Sequence, residues 1–169
     1  RVDASVEAIR EADPGGAVRG VAADLSTAEG VETVTEAYPD IDILINNVGI
    51  FENRPFEEIS DERWLEFFQV NVMSGVRLSR FYLPRMLEED WGRIVFISSE
   101  NALQTPVEGI HYGLTKTAQL SLGRGLAEMT RGSSVTVNSV LPGPTESEGV
   151  DNVLEDAASE RDVTAQDIK

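Results

Sequence analysis

Tyr112 and Lys116 stand four residues apart in the stretch His-Tyr-Gly-Leu-Thr-Lys, residues 111–116. On a helix that spacing stacks both side chains on one face. A phenol beside an ammonium can exchange a proton. The positive charge favours the phenolate, so the Tyr112 pKa is expected to fall from its reference value of about 10. The chain has only two lysines, Lys116 and the C-terminal Lys169, and otherwise uses arginine. A lysine here points to a compact ammonium rather than a planar guanidinium. Ser99 offers a hydroxyl at the end of the apolar run Arg93 to Ser98. A hydroxyl that holds a substrate oxygen, beside a phenol that gives or takes its proton, suits general acid–base chemistry on an alcohol or ketone. The plainer alternative is a turn serine next to an amphipathic helix, with the tyrosine packed and the lysine stretched along the surface.

These groups need a frame. Residues 2–12 read as a helix with Val2, Val6 and Ile9 on one side, stopped by Asp13-Pro14-Gly15-Gly16. Residues 17–23 form a short strand candidate. Ser26 or Thr27 then caps a helix to about Tyr38. The run 41–45, Ile-Asp-Ile-Leu-Ile, predicts a buried parallel strand. Ser60 caps a long helix from Asp61 to about Met86, 93–98 is the next strand, and a helix follows from about Glu108 to Thr130. Residues 135–140 form another strand, closed by Pro142-Gly143-Pro144. Helices alternating with apolar strands predict an α/β sandwich around a parallel sheet. In such sheets ligands bind beyond the carboxyl ends of the strands. Polar or Gly/Pro clusters fall at four such ends: Asp24, Asn46-Asn47, Ser98-Ser99 and Pro142 to Ser147.

Composition narrows the function. The formal net charge is −16, from 14 Lys plus Arg against 30 Asp plus Glu. That balance argues against nucleic acid and anionic lipid as partners. With no cysteine there is no disulfide or thiolate site, and a single histidine, His111, leaves no metal site to expect. A reducing cytoplasm is the expected compartment. No apolar run approaches the roughly 20 residues of a membrane span. The chain opens at Arg1 in a charged helix without a signal peptide, as expected of part of a longer protein. His111 is expected to play a structural or solvent role.

Taken with the turn Asn46-Asn47-Val48-Gly49, the residues Ser99, Tyr112 and Lys116 make the chain resemble a short-chain dehydrogenase/reductase over residues 1 to about 150. The Ser99-to-Tyr112 spacing matches that of the family. Val48 replaces the alanine usual in the Asn-Asn-Ala-Gly turn. Asn71, in Val-Asn-Val-Met-Ser-Gly, matches the family's helix asparagine. The resemblance implies hydride transfer between NAD or NADP and a small-molecule secondary alcohol or ketone. Tyr112 would be the general acid/base. Lys116 would lower its pKa and hold the nicotinamide ribose. Ser99 would orient the substrate oxygen, and Asn71 would support a water relaying protons to Lys116. Asp24 and Leu25 would meet the adenine, Asn46, Val48 and Gly49 would contact the cofactor, and Pro142, Gly143, Thr145 and Ser147 would lie at its nicotinamide end. Glu100 and Asn101 would line the substrate pocket.

The implied architecture is an incomplete Rossmann-type three-layer sandwich over residues 1–169, lacking the first two strands and the last. Residues 146–169 would be a substrate lid or a loosely ordered tail. In the family's strand order, 3-2-1-4-5-6-7, the strand at 17–23 would have no neighbour left. The phosphate loop Gly-x-x-x-Gly-x-Gly is absent from the sequence. The choice between NAD and NADP is therefore not legible, and the 169-residue chain itself is expected to be inactive. Alternative functions are a 3-oxoacyl-carrier-protein reductase, a sugar-nucleotide epimerase or dehydratase, and a non-catalytic binding member of the family. The two long helices imply a homo-oligomer, a dimer or tetramer.

Overall fold

A computed structural model of the chain describes residues 2–143 and 145. Three strands, β1 (Ile43–Asn46), β2 (Gly92–Ile97) and β3 (Val135–Val140), form one parallel sheet in the order β1-β2-β3. Leu44 stands beside Ile94, and Ile94 beside Val137. Helices α1 (Val2–Ala12), α2 (Ala28–Ala37), α3 (Asp61–Phe68), α4 (Ser74–Glu88) and α5 (Ile110–Met129) complete the frame. The incomplete parallel α/β fold read from the sequence is thus present.

Side chains alternate across a strand, so one set of residues from all three strands shares a face. That set includes Leu44, Ile94, Phe96, Val135 and Val137, all buried. α4 and α5 both lie on this face. A Cβ on Gly75 of α4 would sit 2.9 Å from the Phe96 ring, and one on Gly123 of α5 2.9 Å from Ser139 Oγ. Leu78, Tyr82, Leu83 and Met86 of α4 and Val31 of α2 close the core. Burying such side chains contributes roughly 1.5–3 kcal/mol each. The other face of the sheet is open: Ile43 is 54% exposed, Ile45 60% and Val140 48%. The buried strand expected at 41–45 is therefore buried on one side only.

Local chemistry explains most boundaries. Thr27 caps α2, its Oγ1 accepting from Gly30 N–H at 3.0 Å. Only glycine fits at position 30, where a Cβ would lie 1.9 Å from the Asp24 carbonyl oxygen. Ser60 caps α3 in the same way, with Arg63 N–H as donor.

Two expectations fail. Residues 17–23 form no strand. Their flanking ladder partners do not exist among the described residues, and Gly20 instead rests against Val2 and Val6 of α1. The helix expected unbroken over 61–86 is interrupted by a π-helical turn, Gln69–Met73, between α3 and α4. Among the described residues no helix is long and apolar enough to cross a membrane.

Candidate active site

The carboxyl ends of β2 and β3 are knitted together before any site residue is placed. Ser98 N–H donates to Val140 O at 2.8 Å, and Glu100 N–H to Pro142 O at 3.0 Å. Ser98 is buried and its hydroxyl donates to the Lys116 carbonyl at 2.9 Å, tying β2 to α5. Ser99 caps the short 3₁₀ turn Glu100–Ala102, its Oγ accepting from Asn101 N–H at 3.2 Å.

One turn apart on α5, Tyr112 and Lys116 face the same cleft. The Lys116 ammonium lies 5.5 Å from the centre of the Tyr112 ring and donates to Ile97 O at 2.8 Å. Lys116 is buried, and desolvation brings its pKa down to about 8. Burial also pushes the Tyr112 phenol up, while a hydrogen bond with Ser99 pulls it down. This corrects the expected fall of the tyrosine pKa. Low-dielectric surroundings penalise the phenolate more than the neighbouring groups favour it.

Asn71 sits in the π-helical turn and is buried. Its Oδ1 accepts from Ile50 N–H at 2.8 Å, and its Nδ2 donates to Ile50 O and to Thr115 Oγ1, both at 3.0 Å. Thr115 Oγ1 in turn donates to Tyr112 O at 2.7 Å. π turns leave main-chain groups outside the α-helical ladder. Here the Asn71 carbonyl accepts from Gln119 Nε2 at 2.5 Å. Asn71 is thus a staple between α5 and the segment after β1. It reaches the site at Gly49, where a Cβ would lie 3.4 Å from Asn71 Oδ1 and 3.5 Å from Lys116 Nζ. The bare Gly49 backbone leaves the ammonium accessible from the cleft.

The segment after Gly49 is fastened again two residues later. Arg63 grips Glu52 with both ends of its guanidinium, at 3.0 and 2.8 Å, and Arg54 approaches at 3.2 Å. These hydrogen bonds hold the Glu52 carboxyl below its usual range. His111 Nε2 meets Glu52 Oε1 at 3.3 Å, with the imidazole between Trp64 and Phe67. Burial lowers the His111 pKa, and its side chain is fully enclosed, which removes the solvent half of the structural or solvent role expected for it. Phe51, carried between these two anchors, places its ring 6.1 Å from that of Tyr112.

The cleft has a volume of about 490 Å³. Of the residues singled out in the sequence, Gly49, Ser99, Glu100, Asn101, Tyr112, Lys116, Pro142, Gly143 and Thr145 line it. Others stand apart. Asn71 acts from behind Gly49. Asn46 is buried beneath the sheet end, 3.5 Å from Ser79 Oγ. Val48 is exposed, and Leu25 packs against the core. Asp24 is at the surface, its carboxylate bonded to Ser26 N–H and Oγ and its pKa lowered by them. Ser147 lies outside the described residues. The sequence reading missed Phe51, Thr115 and Gln119. Thr115 and Gln119 lie three and seven residues beyond Tyr112, so a polar stripe on a buried helix face was the available signal. Among the described residues no group of three or more His, Cys, Asp or Glu could hold a metal ion.

The family model described as short chain dehydrogenase matches residues 1–158. The chain is 52% identical over 154 residues to the uncharacterized oxidoreductase YvrD of Bacillus subtilis, covering 89% of this chain and 58% of that protein. It is similar to a structure provisionally assigned as an NAD(P) dependent gluconate 5-dehydrogenase from Beutenbergia cavernae with bound NADP. That match has a TM-score of 0.84 and 34% identity, covering 99% of this chain and 73% of the other. L-sorbose reductase from Gluconobacter frateurii, complexed with NADPH and L-sorbose, matches with a TM-score of 0.86 and 28% identity, covering 94% and 62%. The chain spans little more than half the length of the curated relatives it matches.

Proposed function

Because the chain belongs to the short chain dehydrogenase family, we propose that it forms the proton-transfer side of an NAD(P)-dependent oxidoreductase acting on a secondary alcohol or ketone. The observation that carries this reading is the convergence of the Ser99 hydroxyl, the Tyr112 phenol and the Lys116 ammonium on one cleft. The bare backbones of Gly49 and Gly143 on its walls suit a flat ring and its ribose. A bound nicotinamide supplies the hydride donor or acceptor.

The protein's residues do the rest. Ser99 donates a hydrogen bond to the reacting oxygen and stabilises charge that develops there. In reduction Tyr112 gives its proton to the ketone oxygen as the carbinol C–H bond forms. In oxidation the phenolate takes the hydroxyl proton as that bond breaks. Burial keeps the phenol protonated near neutral pH, which suits donation. Lys116 holds ribose hydroxyls and, as an ammonium, stabilises the phenolate left after donation. Asn71 holds the wall and supports a water leading to Lys116. Asp24 and Leu25 meet the adenine, and Asn46 and Val48 contact the cofactor; the lid or tail expected over 146–169 lies outside the described residues. The cofactor is NAD or NADP. The protein works in the cytoplasm as a homo-oligomer.

Tyr112→Phe in the full gene product tests the assignment. It should lower kcat/KM by about 10²–10⁴ while leaving the fold and cofactor affinity intact. Activity unchanged in that variant rejects Tyr112 as the acid/base. The 169-residue chain alone should bind NAD(P)H weakly, since its sequence contains no Gly-x-x-x-Gly-x-Gly to hold a pyrophosphate. Fluorescence titration showing tight binding would overturn that expectation.

A further inference from the structure

Glu100 directly follows Ser99 and opens the 3₁₀ turn at the cleft's edge. Its backbone is fully engaged. The N–H donates to Pro142 O at 3.0 Å, and the carbonyl accepts from Leu103 and Gln104 N–H at 2.8 and 3.0 Å. Its side chain is exposed, and among the described residues its carboxylate enters no ion pair and no hydrogen bond. It lines the cleft and stands over Gly143, where a Cβ would lie 3.2 Å from Oε2. Lys116 is the one cation among the described lining residues, and its ammonium already donates to Ile97 O. The half-buried Asn101 lines the cleft from the same turn.

An unneutralised carboxylate in a substrate cleft has two effects. It repels a carboxylate or phosphate on the substrate, and the net charge of −16 reinforces this at longer range. Enclosed by a bound substrate, it also becomes costly unless the substrate supplies a donor. Ser99 and Tyr112 hold the reacting oxygen, so that donor belongs on a nearby carbon. Resting on the oxidoreductase reading above, we propose that Glu100 is a specificity residue. It accepts a hydrogen bond from a hydroxyl adjacent to the reacting carbon and so selects neutral polyhydroxylated alcohols or ketones over their carboxylate or phosphate counterparts.

The test compares kcat/KM in the full gene product for matched pairs: a sugar alcohol against the aldonate of the same length, with an amino alcohol as a third arm. Wild type should favour the neutral polyol by about tenfold or more, and Glu100→Gln should shrink that ratio by about fivefold. Asn101→Asp, which adds a second charge on the same turn, should widen it. A ratio unmoved by both variants overturns the proposal. So does a wild type that prefers the aldonate or the amino alcohol, or one that oxidises simple secondary alcohols but no polyol. Tyr112→Phe, run in parallel, separates the two ideas. Loss of turnover there with an unmoved Glu100→Gln ratio sinks only the specificity role. Retained turnover, or a wild type inactive on every alcohol, sinks the oxidoreductase reading itself.

Discussion

Around α5 the polar groups are tied to one another inside the protein: Asn71 to Ile50 and Thr115, Ser98 to the Lys116 carbonyl, Lys116 to Ile97, Gln119 to Asn71. Residues 2–24 are held differently. α1 buries no residue, and the segment beyond it meets α1 at Gly20 and through an Arg10 hydrogen bond to Val18 O. The first region is positioned by what is present in the described fold. The second carries no strand and joins no ladder of the sheet. The described part of a candidate site can therefore be closely tied while a neighbouring part of the same fold contributes little to stability.

Removing the Asn71 side chain should break the ordered region most. Asn71→Ala leaves the Ile50 N–H and carbonyl without partners, at a cost of about 2–4 kcal/mol in denaturant unfolding. A loss below about 1 kcal/mol would show the staple to be dispensable.

Lys116 sharpens the contrast through pH. Its folded pKa of about 8 lies below the value near 10.4 of an exposed lysine, so the unfolded chain binds the extra proton between those limits. Stability then rises as pH climbs from about 8 toward 10, and burial of the ammonium costs on the order of 3 kcal/mol below that window. Wild type should gain on Lys116→Met over that range. Parallel pH–stability curves for the two proteins would mean that the amine is solvated.

The smallest effect belongs to the amino-terminal region. Val6→Ala, beneath Gly20, should change unfolding free energy by less than about 0.5 kcal/mol. Hydrogen exchange should find α1 opening well before α5. Protection of α1 equal to that of α5 would erase the distinction between the regions.

What was legible follows the same division. β3 runs over the residues its apolar alternation marks, and Thr27 caps α2 as its side chain suggests. Ser99, Tyr112 and Lys116 were legible as chemistry because strand-end and helix-face spacing depend on local geometry alone. The segment 17–23 was misread because a strand pattern says what a segment can pair as, not whether a neighbour exists. The Tyr112 pKa was misjudged because sequence shows the ammonium but not the packing that desolvates both groups. Glu52, Arg63 and His111 met as a cluster only through the fold; their separations along the chain carry no signal.

The π-helical turn has a mechanical meaning as well. Each residue of an α-helix advances the side chains by about 100°, so one extra residue in the turn rotates everything after it by that amount. Phe67, before the turn, points at His111, while Leu78, Tyr82 and Met86, after it, point into the core beneath the sheet. The turn works as a phase coupler between a helix segment that addresses the site and one that addresses the core. Deleting one residue from Gln69–Met73 would restore a continuous ladder and swing the core-facing stripe of α4 toward water.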